Sequence, residues 1–177
     1  MTTKKLTTLA LFTALALAIF GIECAIPTLV PIPGVKLGLA NIITLVVLVR
    51  YSGKDAFFVM LARILLGTLL FGQAMSLLYS LAGGFLCLLA MWCVNRLLQG
   101  HFLCLTSMVG ALFHNLGQIL IALLLTATPG VLSYLPFLLL SGIITGLFTG
   151  LCAQFMNNHL KKLKFDLLFD PKGDAGN

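Results

Sequence analysis

No Asp, Glu, Lys or Arg occurs between Arg96 and Lys161, where residues 97–160 read LLQGHFLCLTSMVGALFHNLGQILIALLLTATPGVLSYLPFLLLSGIITGLFTGLCAQFMNNHL. A helix that crosses a membrane needs roughly 20 apolar residues. The run is therefore long enough for two such helices, and Pro129-Gly130 divides them because both residues interrupt a helix. Residues 64–95 form a second run without charge. The two runs predict an integral membrane protein that crosses the bilayer several times.

The composition excludes most other classes of protein. Of the 177 residues, 60% are apolar and only 9% are charged, and the mean hydropathy is +1.10. A soluble domain carries about 25% charged residues because its surface faces water. A soluble enzyme, a nucleic-acid-binding domain and a disordered chain are therefore disfavoured. The five cysteines show neither a CxxC pair nor zinc spacing, so we expect reduced, packed thiols, no metal and no cofactor.

Apolar runs and their breaks predict an all-α bundle of six transmembrane helices. The second helix is the shortest, and prolines 27, 31 and 33 separate it from the first. We expect one transmembrane domain over residues 1–158 and a short cytoplasmic tail over residues 159–177. The predicted helices cover residues 6–26, 35–50, 55–71, 74–98, 103–126 and 135–158.

Lys and Arg in the loops predict the orientation, since short cytoplasmic loops carry an excess of both. With a cytoplasmic N-terminus, Lys36 lies outside and Arg63 lies within the third helix. All other basic residues then lie inside, which places both termini in the cytoplasm and the protein in the cell membrane. These inside residues are Lys4, Lys5, Arg50, Lys54, Arg96, Lys161, Lys162, Lys164 and Lys172.

Several polar side chains fall inside the predicted helices or at their outer ends. A charge within the hydrocarbon costs at least ~2.5–3.5 kcal/mol, so such groups usually face a cavity or a partner. We expect them to line a pocket near the outer face, with a charge balance that favours an anionic or zwitterionic solute. The alternatives stay open: Arg63 pairing with Glu23, an interface anchor at Lys36, or helix–helix hydrogen bonds by the amides and the imidazole. The candidate residues are Glu23, Lys36, Asn41, Arg63, His114, Asn115 and Gln118.

Small residues recur at four-residue spacing on two of the predicted helices. Ala10, Ala14 and Ala18 form a stripe on the first helix, and Glu23 lies on the opposite face at 100° per residue. Such a stripe lets another helix approach closely, either within the bundle or from a partner protein. On the last helix, glycines 142, 146 and 150 predict close packing against a neighbour.

Six short spans with an alanine stripe on the first resemble the substrate-binding (S) subunits of energy-coupling factor transporters. The resemblance implies that Ala10, Ala14 and Ala18 dock onto a transmembrane coupling subunit. It also implies a solute pocket near the outer face, covered by the loop over residues 25–35. The chain has no Walker A motif, so ATPase subunits on other chains would supply the energy.

Three segments carry a second resemblance: PIPGVKLGLANI at residues 31–42, RILLG at 63–67 and HNLGQ at 114–118. They are similar to the family labelled Gx transporter or heptaprenyl diphosphate synthase component I, over about residues 6–158. Prenyl-chain synthesis needs clustered carboxylates that hold magnesium on a diphosphate. The chain has no DDxxD-like cluster, so we expect no enzyme activity.

The sequence therefore predicts a solute-binding membrane subunit of an energy-coupling factor type uptake transporter. Its partners would be a small solute, for which the charge balance favours an anion, together with membrane lipid, a coupling subunit and ATPase subunits. We expect no nucleic acid among its partners. The first rival is a non-catalytic membrane subunit of isoprenoid, polyprenyl diphosphate or quinone metabolism. The other rivals are a solitary carrier or channel and, more remotely, a membrane enzyme.

Overall fold

A computed structural model describes residues 3–25, 38–71 and 74–162, and it shows only helices and connecting turns over those ranges. Six α-helices follow one another along the chain, and a short 3₁₀ helix, Pro129–Tyr134, precedes the last. The predicted all-α class is thus confirmed. The α-helices are α1 (Thr3–Ala25), α2 (Asn41–Arg50), α3 (Gly53–Phe71), α4 (Ala74–Leu97), α5 (Leu103–Thr126) and α6 (Leu135–Lys162).

Among the described residues, four segments are long and apolar enough to cross a membrane: α1, Met75–Leu97 of α4, α5 and Pro129–Lys162. α3 has 19 residues but includes Lys54, Asp55 and Arg63. α2 has only 10 residues, or about 15 Å, half of a ~30 Å hydrocarbon core. Large apolar side chains such as Leu69 and Phe155 are about four-fifths exposed. Such a surface fits lipid better than water, and the chain is a multi-pass membrane protein.

α4, α5 and α6 pack tightly in antiparallel fashion through glycines. A Cβ on Gly146 would lie 2.6 Å from the Met108 Cα, and one on Gly150 would lie 2.6 Å from the Cys104 Cα. Between α4 and α5, Gly117 lies against the Ala82 carbonyl in the same way. The close packing predicted from the glycine spacing of the last helix is confirmed. These contacts join α4, α5 and α6 backbone to backbone.

α1 and α3 run parallel, with Gly67 under the Phe20 ring and an ion pair near their first turns. The Lys5 Nζ lies 2.8 Å from an Asp55 carboxylate oxygen, and Asp55 also accepts a hydrogen bond from the Ser52 hydroxyl. At this end of the bundle α1, α3 and α5 begin, and α2, α4 and α6 end. We call it the basic end because Lys4, Lys5, Arg50, Lys54, Arg96, Lys161 and Lys162 all lie there.

The helix ends differ from the prediction mainly at α2 and α6. The second helix was predicted from residue 35, but Gly38 has a φ of +78° and α2 begins at Asn41. A left-handed residue cannot continue a right-handed helix, so this part of the prediction is wrong; residues 35–37 lie outside the described residues. α6 continues past the predicted residue 158 to Lys162, so its last turn contains basic side chains.

Replacing Gly146 by alanine tests the glycine packing. We expect Gly146→Ala to destabilise the bundle by about 1–3 kcal/mol, because its Cβ meets backbone atoms that cannot give way. Alanine's better helix propensity, about 1 kcal/mol, recovers only part of this loss. The change is measured as the shift in thermal unfolding temperature in detergent, where unfolding is monitored as loss of the monomeric species.

Gly130→Ala is the matched control, since its Cβ would meet only the Thr128 methyl at 3.6 Å. Equal melting temperatures for the two variants would contradict the packing described for α5 and α6.

Candidate functional site

Asn41, the first residue of α2, links two ionisable side chains from other helices. Its Oδ1 accepts a hydrogen bond from the Arg63 Nη2 of α3 at 3.3 Å, and its Nδ2 lies 3.4 Å from the His114 Nδ1 of α5. Arginine only donates, so the Asn41 oxygen must face Arg63 and its amide nitrogen must face His114. The His114 ring also makes a hydrogen bond with the backbone of Gly83 on α4. We call Glu23, Asn41, Arg63 and His114 the polar cluster.

Glu23 brings α1 into the polar cluster. Its carboxylate accepts a hydrogen bond from the backbone N–H of Gly38, just before α2, and it interacts electrostatically with Arg63. The side chain is only 5% exposed. A carboxylate near the N-terminus of a helix is favourable because unpaired N–H groups and the helix dipole concentrate positive potential there. Because α2 is short, its N-terminus lies next to the Glu23 carboxylate of α1.

The His114 ring lies between two glycines. A Cβ on Gly83 of α4 would fall 2.9 Å from the His114 Nδ1, and one on Gly38 would fall 3.1 Å from its Nε2. At Gly38 the φ of +78° would also strain any other residue. Both positions need glycine because the imidazole occupies the space of a side chain.

Four polar atoms near this point are buried without a hydrogen-bond partner among the described residues. They are the Arg63 Nε, the His114 Nε2, and both the Nε2 and the Oε1 of Gln118. Gln118 is fully buried, and Arg63 and His114 are each 3% exposed. An unsatisfied buried polar group costs about 1–3 kcal/mol, and native proteins leave few of them. These side chains therefore present unused hydrogen-bonding capacity inside an apolar bundle.

The structure brings together Glu23, Asn41, Arg63 and His114 from the predicted set, and Gln118 lies one turn beyond His114 on α5. Asn115 is different: its amide donates to the Leu138 carbonyl of α6 at 2.6 Å, so here it makes a helix–helix hydrogen bond. Lys36 lies outside the described residues, as does the covering loop from residue 26 to residue 35.

Apolar contributors to the cluster escaped the sequence analysis. The Arg63 guanidinium lies 5.7 Å from the centre of the Phe20 ring, a cation–π arrangement that shields the charge. Phe20 precedes Glu23 by three residues, which puts both on one face of α1. That spacing was the only signal available, and an apolar helix contains many such pairs.

The polar cluster lies between the middle of the bundle and the end opposite the basic end. Arg63 is near the middle of α3, His114 is near the middle of α5, and Asn41 starts a helix that spans only half of the bundle. Glu23 lies near the end of α1, and Asn41 lies about halfway along the bundle because α2 begins there. The expected grouping toward the outer leaflet stays a prediction.

The alanine stripe of α1 points away from the cluster. Ala10, Ala14 and Ala18 are exposed, whereas Glu23 is buried. The predicted opposition between the stripe and the acid is therefore confirmed. Within the described part of the chain, the stripe is not covered by another helix, which leaves a smooth face on the outside of the bundle.

A half-length helix, a buried arginine and a lipid-facing apolar surface define a multi-pass helical membrane protein with a polar site in its interior. Within that class, the chain belongs to the heptaprenyl diphosphate synthase component I family, whose model matches residues 12–156. The match includes the whole polar cluster and confirms the resemblance seen in the sequence. No curated protein and no solved structure matches the chain.

A double-mutant cycle tests the coupling between Glu23 and Arg63. Glu23→Gln leaves a buried guanidinium without its acid, and breaking such a pair costs about 3–5 kcal/mol. We expect a large fall in the thermal unfolding temperature in detergent for Glu23→Gln. The double variant Glu23→Gln/Arg63→Met should recover much of that loss, because methionine removes the charge and fills similar space.

Additive losses in the double variant would contradict the coupling. Lys54→Gln, which removes an exposed cation on the same helix, is the control and should leave the unfolding temperature unchanged.

Proposed function

We propose that the protein is the solute-binding membrane subunit of an energy-coupling factor type uptake transporter. The observation that carries the proposal is the set of four buried polar atoms on Arg63, His114 and Gln118 that have no hydrogen-bond partner within residues 3–25, 38–71 and 74–162. A bundle that only needed internal hydrogen bonds would pair these groups, as it pairs Asn115 with α6. A bound solute would satisfy them and recover their desolvation cost.

The unpartnered atoms restrict the chemistry of the solute. The Arg63 Nε and the Gln118 Nε2 donate and the Gln118 Oε1 accepts, whereas the His114 Nε2 donates or accepts according to the tautomer of the ring. A complementary ligand offers several acceptor oxygens and one N–H or O–H donor. A carboxylate or imide group next to a hydroxyl or ring N–H meets this requirement. Because Glu23 offsets the charge of Arg63, a preference for an anionic solute would depend on the positive charge that Lys36 is proposed to add to the site.

Uptake from the outside would need two further contributions. The exposed stripe of Ala10, Ala14 and Ala18 supports docking to a transmembrane coupling subunit, because small side chains permit close helix contact. ATPase subunits would supply the energy, since the chain has no Walker A motif. In this proposal both termini are cytoplasmic, the basic end faces the cytoplasm, and the protein resides in the cell membrane.

The family description keeps a rival open, a non-catalytic membrane subunit of isoprenoid or quinone metabolism. The two acids of the described residues argue against catalysis. Glu23 is buried beside Arg63, and Asp55 pairs with Lys5 at the basic end. α1 and α3 run parallel, and Glu23 lies near the end of α1 whereas Asp55 lies near the start of α3. These two carboxylates are therefore too far apart to share a magnesium ion.

Gln118→Leu tests the binding site. The protein purified from its native membrane should carry a small molecule that native mass spectrometry detects, and the leucine variant should lose it. Leucine fills similar space but removes both hydrogen-bonding groups, so folding should be kept or improved. The control is Gln154→Leu at an exposed position of α6. If the Gln118 variant retains the same molecule at wild-type occupancy, the site is wrong.

Ala14→Leu tests the docking face separately. Affinity purification of the wild-type protein should bring down a transmembrane subunit and Walker-type ATPases, and Ala14→Leu should lose them because its side chain separates the helices. The co-purified small molecule should remain. Cys93→Leu, which adds bulk at an exposed position of α4, should keep the partners. Recovery of a prenyl synthase instead would favour the rival function.

A further inference from the structure

We propose that the basic end carries a second site, which binds a phosphate or diphosphate group. A groove of about 460 Å³ opens there between the ends of α2, α4 and α6. Arg50, Arg96 and Lys161 line it, and none of its described lining residues is acidic. The groove is at the opposite end of α2 from Asn41, so it is distinct from the polar cluster.

Contacts with described neighbours orient two arginines of the groove. The Arg50 Nε donates to the Asn157 Oδ1 at 2.8 Å, and its Nη2 donates to the Asn157 carbonyl at 2.6 Å. The Arg96 guanidinium lies 5.5 Å from the centre of the Trp92 ring, which itself packs against Gly53. Orienting the two guanidinium groups in advance lowers the entropic cost of binding an anion.

Asn95 adds a half-buried polar side chain to the groove. The Asn95 side chain lines it, and its Oδ1 is buried without a hydrogen-bond partner in the described residues. After α4 the chain turns through two left-handed residues, Gln99 and Gly100, and a Cβ on Gly100 would lie 3.8 Å from that oxygen.

The donors match phosphate better than a simple monovalent anion. Planar guanidinium groups bind phosphate oxygens through paired N–H donors, and lysine adds a point charge. The groove is larger than one phosphate group, so a diphosphate or the phosphate head group of a lipid also fits. Basic pockets between transmembrane helices at the cytoplasmic side bind anionic lipid head groups in the same way.

The only tryptophan of the chain, Trp92, reports directly on this groove because it contacts Arg96. Inorganic diphosphate is titrated into the full-length protein in a neutral detergent while Trp92 fluorescence is recorded. We expect a saturable change whose midpoint moves at least about tenfold in Arg96→Gln and in Arg50→Gln, since a charge-assisted hydrogen bond is worth that much. Lys54→Gln, an exposed cation outside the groove, should keep the wild-type midpoint.

Further controls separate a built site from general attraction of anions. Arg96→Lys keeps the charge but loses the paired donors, so its midpoint should also rise, and thermal unfolding verifies that each variant is folded. The proposal is overturned by a linear response, by equal binding of sulfate at the same ionic strength, or by an equal loss in Lys54→Gln.

Nanodiscs distinguish the two sources of phosphate. If a lipid head group occupies the groove, discs containing phosphatidylglycerol should shift the Trp92 emission and abolish the response to added diphosphate. If a soluble phosphate compound is the ligand, the titration should be the same in those discs as in phosphatidylcholine alone. A Gln118→Leu protein should titrate normally, which keeps this test independent of the solute site.

Discussion

The burial of the Arg63 guanidinium in an apolar bundle constrains the structure around it. A charge removed from water is tolerated only with compensating charge and hydrogen bonds. Glu23 supplies the opposite charge, Asn41 supplies an acceptor, and the Phe20 ring covers the cation. Each of these groups comes from a different position along the chain, so a single buried charge fixes the relative placement of α1, α2 and α3.

The short α2 is a consequence of the same constraint. If the helix continued to the opposite end, the N–H of Gly38 would bond within the helix rather than to Glu23. The left-handed conformation of Gly38 prevents the helix from extending through this residue, so the N-terminus of α2 lies inside the bundle. Membranes accept irregular backbone at depth only where protein or a cavity surrounds it. Many transporters likewise place a helix terminus inside the membrane beside the polar groups of a solute site.

The two halves of the molecule differ in how they are held together. α4, α5 and α6 meet through glycines with backbone in direct contact, which leaves little room for adjustment. α1, α2 and α3 are joined by side chains, among them the Lys5–Asp55 ion pair and the polar cluster. His114 spans the two groups, since it sits on α5, lies against Gly83 of α4 and reaches Asn41 of α2 at 3.4 Å. A solute that binds at His114 would therefore contact both halves at once.

The sequence by itself determined the membrane class, the helical fold and most helix positions, because charge-free runs and their proline and glycine breaks are local features. It also selected Arg63, His114 and Gln118, since ionisable and amide groups in apolar runs are conspicuous. Only the tertiary structure decided that Asn115 bonds to α6, whereas both polar atoms of Gln118 have no hydrogen-bond partner in the part of the chain that the structure describes. The same holds for the start of α2 at Asn41, after the left-handed Gly38, and for the arginine-lined groove at the basic end. These outcomes depend on which helix faces each side chain, and contacts between residues far apart in the chain leave no trace in local periodicity.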